Sequence, residues 1–179
     1  MLYLFLAEGF EELEAIAPLD LLRRANVDVT TVGLGGRVVT GSHGIAVTCD
    51  ADASAWAPDD AFEGVILPGG PGHVRLKESP AVMEAIRLAA AQGKLLAAIC
   101  AAPSILGEMG LLKGRKAACF PGYEDKLLGA KVVYEPVVQD GNIVTSRGAG
   151  TAVAFGLALV AYMRSPEEAE RIEKVIQCP

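Results

Sequence analysis

Histidine is scarce in this chain: its 179 residues include only His43 and His73. None of Cys49, Cys100, Cys119 and Cys178 forms a CxxC pair, so no metal cluster is expected at ordinary ligand spacing. Basic residues are few and scattered, with 16 Lys and Arg against 22 Asp and Glu. No phosphate-tracking face follows from that, and nucleic acid is not expected as a partner. Long apolar runs are missing too. The stretch 153–163 falls well short of the roughly 20 residues needed to span a membrane. "LYLFLA" (2–7) has no basic segment ahead of it and runs straight into "EGFEELE", so it reads as a first strand and not as a secretion signal. There is no GxGxxG opening a helix after that strand, and no Walker motif. These absences leave a cytoplasmic location and four free thiols as the expectation.

What is present is aliphatic. Hydrophobic residues make up 51% of the chain, aromatics only 6%, and there are 20 glycines, which suits an α/β interior better than a β-sandwich. Strand-like and helix-like segments alternate. Apolar or β-branched runs at 2–7, 27–34, 44–49, 64–70 and 94–100 read as strands, and Asp140-Gly141 signals a hairpin. Helical patterning covers 11–25, 79–93, 102–112, 150–164 and 165–177. This order predicts a single domain over 1–179, with a mainly parallel sheet covered on both faces. Ligands bind such sheets beyond the carboxyl ends of the strands. Three segments should meet there: the turn after 2–7, the "PGG" turn after 64–67, and Cys100.

Cys100 ends an apolar strand and enters a helix, with Ala98 and Ala102 flanking it. It reads either as a packed structural thiol or as a nucleophile. The small flanks and the following helix N-terminus favour a nucleophile with a lowered pKa. Gly69-Gly70 closes the neighbouring strand, as an oxyanion-hole turn or an ordinary βα turn. From Glu14, positions +3, +4, +7 and +8 are Ala17, Pro18, Leu21 and Leu22, all apolar, so Glu14 is the acid expected to face inward. Buried there, it would have a raised pKa and could donate to a thiolate. Glu11 and Glu12 read as surface acids favoured by the helix dipole. His73, the one histidine that the strand ends could bring near Cys100, follows Pro71-Gly72 and reads either as a solvated loop residue or as a base at the pocket or dimer edge, so a Cys-His-Asp triad is not evident. "RGAG" (147–150) either borders the pocket through Gly148 and Ala149 or is plain helix-entry sequence.

Four ordered stretches, "EGFEELEAIAPLDLLRRA", "VILPGGPG", "AAICAAPSIL" and "VTSRGAGTAVAFGLALV", resemble the ThiJ/PfpI superfamily, a class I glutamine amidotransferase-like group, and within it the DJ-one branch. The resemblance implies a flavodoxin-like three-layer α/β/α sandwich that forms a homodimer. It implies that Cys100 is an oxidation-sensitive nucleophile, that Glu14 is its hydrogen-bonding acid, and that the amides of Gly70 and Ala101 form the oxyanion hole beside Gly69. Arg24 matches an arginine near the pocket and dimer interface. The implied activity is conversion of small reactive carbonyls such as methylglyoxal to hydroxy acids without a cofactor, with deglycase, chaperone and redox-sensing roles as alternatives. Some members carry a histidine where this chain has Phe120, which leaves Glu14 as the acid/base. The protease-like branch has histidine after the nucleophile, whereas this chain has Ala101, so a peptidase is not expected.

Overall fold

A computed structural model describes residues 1–58 and 61–178. In chain order the first half contains β1 (Leu2–Leu6), α1 (Glu12–Arg24), β2 (Val29–Gly33), β3 (Val38–Thr40), β4 (Ala46–Thr48), β5 (Ala51–Asp52) and β6 (Gly64–Leu67). Then come α2 (His73–Glu78), α3 (Pro80–Ala91), β7 (Leu95–Ile99), α4 (Pro103–Glu108), β8 (Lys116–Ala117) and β9 (Lys131–Val132). The hairpin β10 (Val137–Asp140) and β11 (Ile143–Ser146) leads to α5 (Ala152–Met163) and α6 (Pro166–Val175).

Among the described residues, seven strands form the main sheet in the order β10-β11-β7-β6-β1-β2-β5, and every pairing in it is parallel except β10 with β11. Period-2 alternation divides the core. Leu2, Leu4 and Leu6 of β1 face a cluster with Leu22 of α1, Phe155 and Leu159 of α5, and Ile172 of α6. Tyr3 and Phe5 face the opposite cluster, with Leu76 of α2, Val82 and Ile86 of α3, and Ile105 of α4. All five residues of β1 and of β7 are buried, as strands covered on both faces require. The expected three-layer flavodoxin-like sandwich is the observed fold.

Segment 44–49 holds a strand as expected, β4, which pairs with β3 in a separate antiparallel hairpin. Two local expectations are corrected. The helix expected over 102–112 stops at Glu108, and turns occupy the residues that follow. His73 is not in a solvated loop: it opens α2 and is 9% exposed.

Candidate active site

The strand order places the ends of β1, β6, β7 and β11 on one edge of the sheet. Cys100 has φ +65, a left-handed conformation that a residue with a side chain holds only at a cost of about 1–3 kcal/mol. This sharp turn lifts the thiol off the end of β7. It is fixed from both sides, because the Cys100 N–H donates to Ser146 C=O (2.9 Å) and the Phe120 N–H donates to Cys100 C=O (2.8 Å).

Glu14 arrives from the first turn of α1, 1% exposed, with its carboxyl hydrogen-bonded to the Cys100 thiol. The Gly69 N–H donates to Glu14 Oε2 at 2.8 Å. A side chain at 69 could not coexist with this pair, because a Cβ there would lie 2.7 Å from Cys100 Cβ and 2.8 Å from Glu14 Oε2. Gly70 has φ +77, and a Cβ on it would stand 2.6 Å from Glu11 N. The "PGG" turn therefore needs both glycines, the first for space and the second for conformation as well. The N–H groups of Gly70 and Ala101 reach the Cys100 sulfur.

The electrostatics belong to the pair. Burial pushes Glu14 up to about 7, against the hydrogen bonds from Cys100 and Gly69. Burial, and then the Glu14 charge, push Cys100 up to about 12, while the Gly70 and Ala101 amides pull the other way. The expected thiol of lowered pKa is thus corrected: this cysteine is not acidic on its own. A proton on Glu14 removes the carboxylate charge and supplies a donor to the sulfur.

The cavity at this edge has a volume of about 500 Å³, with Glu11, Glu14, Gly70, Pro71, Cys100, Ala101, Phe120, Tyr123 and Ala149 in its wall. Ala149 therefore borders the pocket, and Gly148 lies just behind Phe120 and Glu14. Arg24 does not reach it. It ends α1, about 15 Å along the helix from Glu14, and its Nε pairs with Asp20 (2.7 Å). His73 is not in the wall either. Its Nδ1 lies 2.8 Å from Gly70 C=O, which can only accept, and its ring packs edge-on against Tyr123. His73 thus braces the turn.

Three acids near the start of α1 take roles that periodicity separates poorly. Glu11, read as a surface acid, lines the cavity. Glu12, also read as a surface acid, is 7% exposed and accepts the His43 N–H (2.8 Å) and pairs with His43 Nδ1 (2.9 Å). Burial alone would raise its pKa, but the His43 and Ile45 hydrogen bonds hold it down at about 2. Glu11, Glu12 and His43 therefore come within metal-ligand range of one another, a grouping that chain spacing did not reveal. The Glu12 oxygens are already taken by the 42–45 turn. Tyr123 and Pro71 were missed as well. The only available signal was their place beside Phe120 and Gly70 in glycine-proline turns.

A cysteine on a strained strand-to-helix elbow, paired with a buried carboxyl at the carboxyl edge of a parallel sheet, defines the class: an α/β sandwich with a cysteine-elbow site. Comparison with known proteins narrows this. The chain belongs to the DJ-1/PfpI family, whose profile matches residues 1–162. Protein DJ-1 homolog A of Arabidopsis thaliana is 38% identical over 96% of this chain, and the chain spans 45% of that relative's length. For homolog B of the same plant the share is 39%. Deglycase PfpI of Pyrococcus furiosus is 37% identical over 92% of this chain and is covered completely. Among solved structures, oxidized Toxoplasma gondii DJ-1 superposes with a TM-score of 0.93 at 33% identity, covering 98% of this chain and 97% of that one.

Proposed function

We propose that this chain is a cysteine-dependent deglycase-type enzyme that converts α-oxoaldehydes such as methylglyoxal to 2-hydroxy acids. The observation that carries the reading is the buried Glu14 carboxyl bonded to the Cys100 thiol, with the Gly70 and Ala101 amides at the sulfur. Cys100 sulfur adds to the aldehyde carbon, giving a hemithioacetal whose oxyanion those two amides hold. Glu14 passes the thiol proton to that oxygen, then takes the proton from the carbon and returns it to the adjacent one, while the hydroxyl proton moves across to the ketone oxygen. The first carbon is thereby oxidised to a thioester as the neighbouring ketone is reduced to an alcohol. Water cleaves the thioester, releasing the hydroxy acid and restoring the thiol.

Quenching the reaction with acid and weighing the intact protein tests this. The native chain should carry one added methylglyoxal on Cys100, and Cys100→Ser none. Equal labelling of both proteins would refute the reading.

A second reading, oxidation of Cys100 to a sulfinate in a redox sensor or stress chaperone, is favoured by the oxidized state of the Toxoplasma relative. It requires selective addition of two oxygens at Cys100 under mild peroxide, with negligible aldehyde turnover. For a partner we propose a second copy of the chain against the outer face of α1, where Leu13 is 59% and Ile16 40% exposed. Leu13→Glu should then shift the protein from dimer to monomer in light scattering, and a native monomer would exclude the dimer.

A further inference from the structure

Phe120 puts a phenyl ring in the wall of the cavity that holds Cys100 and Glu14. Phe120 is 47% exposed and stands in the cavity wall with Tyr123, Pro71, Ala101 and Ala149. Its ring lies on bare backbone: a Cβ at Gly148 would be 3.2 Å from Phe120 Cδ2 and 3.9 Å from Glu14 Oε1. The ring and the acid thus flank the same side-chain-free spot. The ring is also tethered to the nucleophile through the Phe120 N–H on Cys100 C=O (2.8 Å). The Tyr123 N–H donates to Phe120 C=O (3.2 Å), and the Tyr123 ring packs against His73 at 5.4 Å between centroids. Through Gly70 C=O, His73 returns this chain of contacts to the turn whose amide reaches the sulfur.

At about 500 Å³ the cavity falls within the roughly 300–1,000 Å³ of ordinary small-molecule sites, which leaves room beyond a three-carbon aldehyde. Much of its wall is apolar and it sits within a fixed frame, so it can accept a flat apolar group with little ordering cost. With Cys100 on the aldehyde carbon, the substituent on the ketone carbon is the part of the substrate that must find room in the rest of the cavity, whose wall includes Phe120 and Tyr123.

We propose that Phe120 and Tyr123 form an aromatic rim that selects α-oxoaldehydes carrying an aryl substituent. This rests on the oxoaldehyde reading of Cys100. The aryl glyoxal and one water become an aryl 2-hydroxy acid by the same internal transfer: the aldehyde carbon is oxidised, the ketone carbon reduced, and the thiol regenerated. Ring-on-ring contact and burial of the aryl face supply the discrimination, which a histidine in this place would weaken by presenting polar ring edges.

The experiment compares kcat/KM for phenylglyoxal and methylglyoxal in the native chain, Phe120→Ala and Phe120→Tyr. The phenylglyoxal-to-methylglyoxal ratio should fall about tenfold in Phe120→Ala and return in Phe120→Tyr. A ratio unchanged in Phe120→Ala, with both substrates turned over, overturns the rim. Calorimetry of mandelate against lactate on Cys100→Ser, with and without Phe120→Ala, reads the rim without chemistry. Tighter mandelate binding that is lost with Phe120 upholds the rim even where the native chain turns over neither aldehyde, a result that removes the oxoaldehyde reading alone. Equal binding of the two acids in both proteins overturns the rim.

Discussion

Cys100 and Glu14 share one proton over a wide range of pH, and that sharing sets what the thiol can do. With Glu14 raised to about 7 and Cys100 to about 12, both groups are protonated in acid and the pair holds a single proton above neutrality. Reactivity therefore rises as pH increases through about 7. Iodoacetamide labelling of Cys100, followed by mass, should show that limb in the native chain and lose it in Glu14→Gln. The flanking glycine is equally specific. Gly69→Ala would place a methyl 2.7 Å from Cys100 Cβ and 2.8 Å from Glu14 Oε2, so it should abolish turnover. The fold should survive with a loss of about 1–3 kcal/mol in urea unfolding. An active Gly69→Ala protein would show that the contact between acid and thiol is dispensable.

Helix α1 carries the acid, and α5 sets where α1 lies. At Gly156 of α5 a Cβ would stand 2.6 Å from Leu21 Cδ1 and 2.9 Å from Pro18 Cα, so the backbone of α5 comes close to both the backbone and a side chain of α1. Pro18 also lacks the N–H that would bond to Glu14 C=O, which leaves the turn bearing the acid without that tie. Gly156→Val should push α1 outward, lowering both stability and turnover although it lies outside the cavity wall. Measuring Tm and kcat/KM together checks this. The elements legible in the sequence are β1 and β7, as continuous apolar runs buried on both faces, and α1 and α3, as helical patterns with one buried face. The inward Glu14 followed from its apolar neighbours one and two turns on. Short elements set by long-range contacts were not legible. The six-residue α2 hides behind Pro71-Gly72, and Glu12 is buried only because the distant 41–45 turn folds over it. A Cβ on Gly41 would lie 2.3 Å from Glu12 Cδ.

The whole molecule gathers its chemistry by strand order, since four parallel strands end at one edge and bring 14, 69–70, 100 and 148 together from across the sequence. The same edge is clamped from outside by Glu12 on the 42–45 turn. Held at about 2 against 4.5 when unfolded, Glu12 contributes its full stabilisation above about pH 4.5 and loses it as pH falls toward 2. Glu12→Gln should therefore cost about 2 kcal/mol at pH 7, a difference that shrinks through that acid window in denaturant titrations. No helix among the described residues is long and apolar enough to cross a membrane. The assembled edge itself is tested most directly by lactate formed from methylglyoxal in the native chain, Cys100→Ser and Glu14→Gln side by side. Lactate should accumulate with the native chain, vanish with Cys100→Ser and fall by about a hundredfold or more with Glu14→Gln. Equal lactate from Cys100→Ser would contradict the assignment of this site.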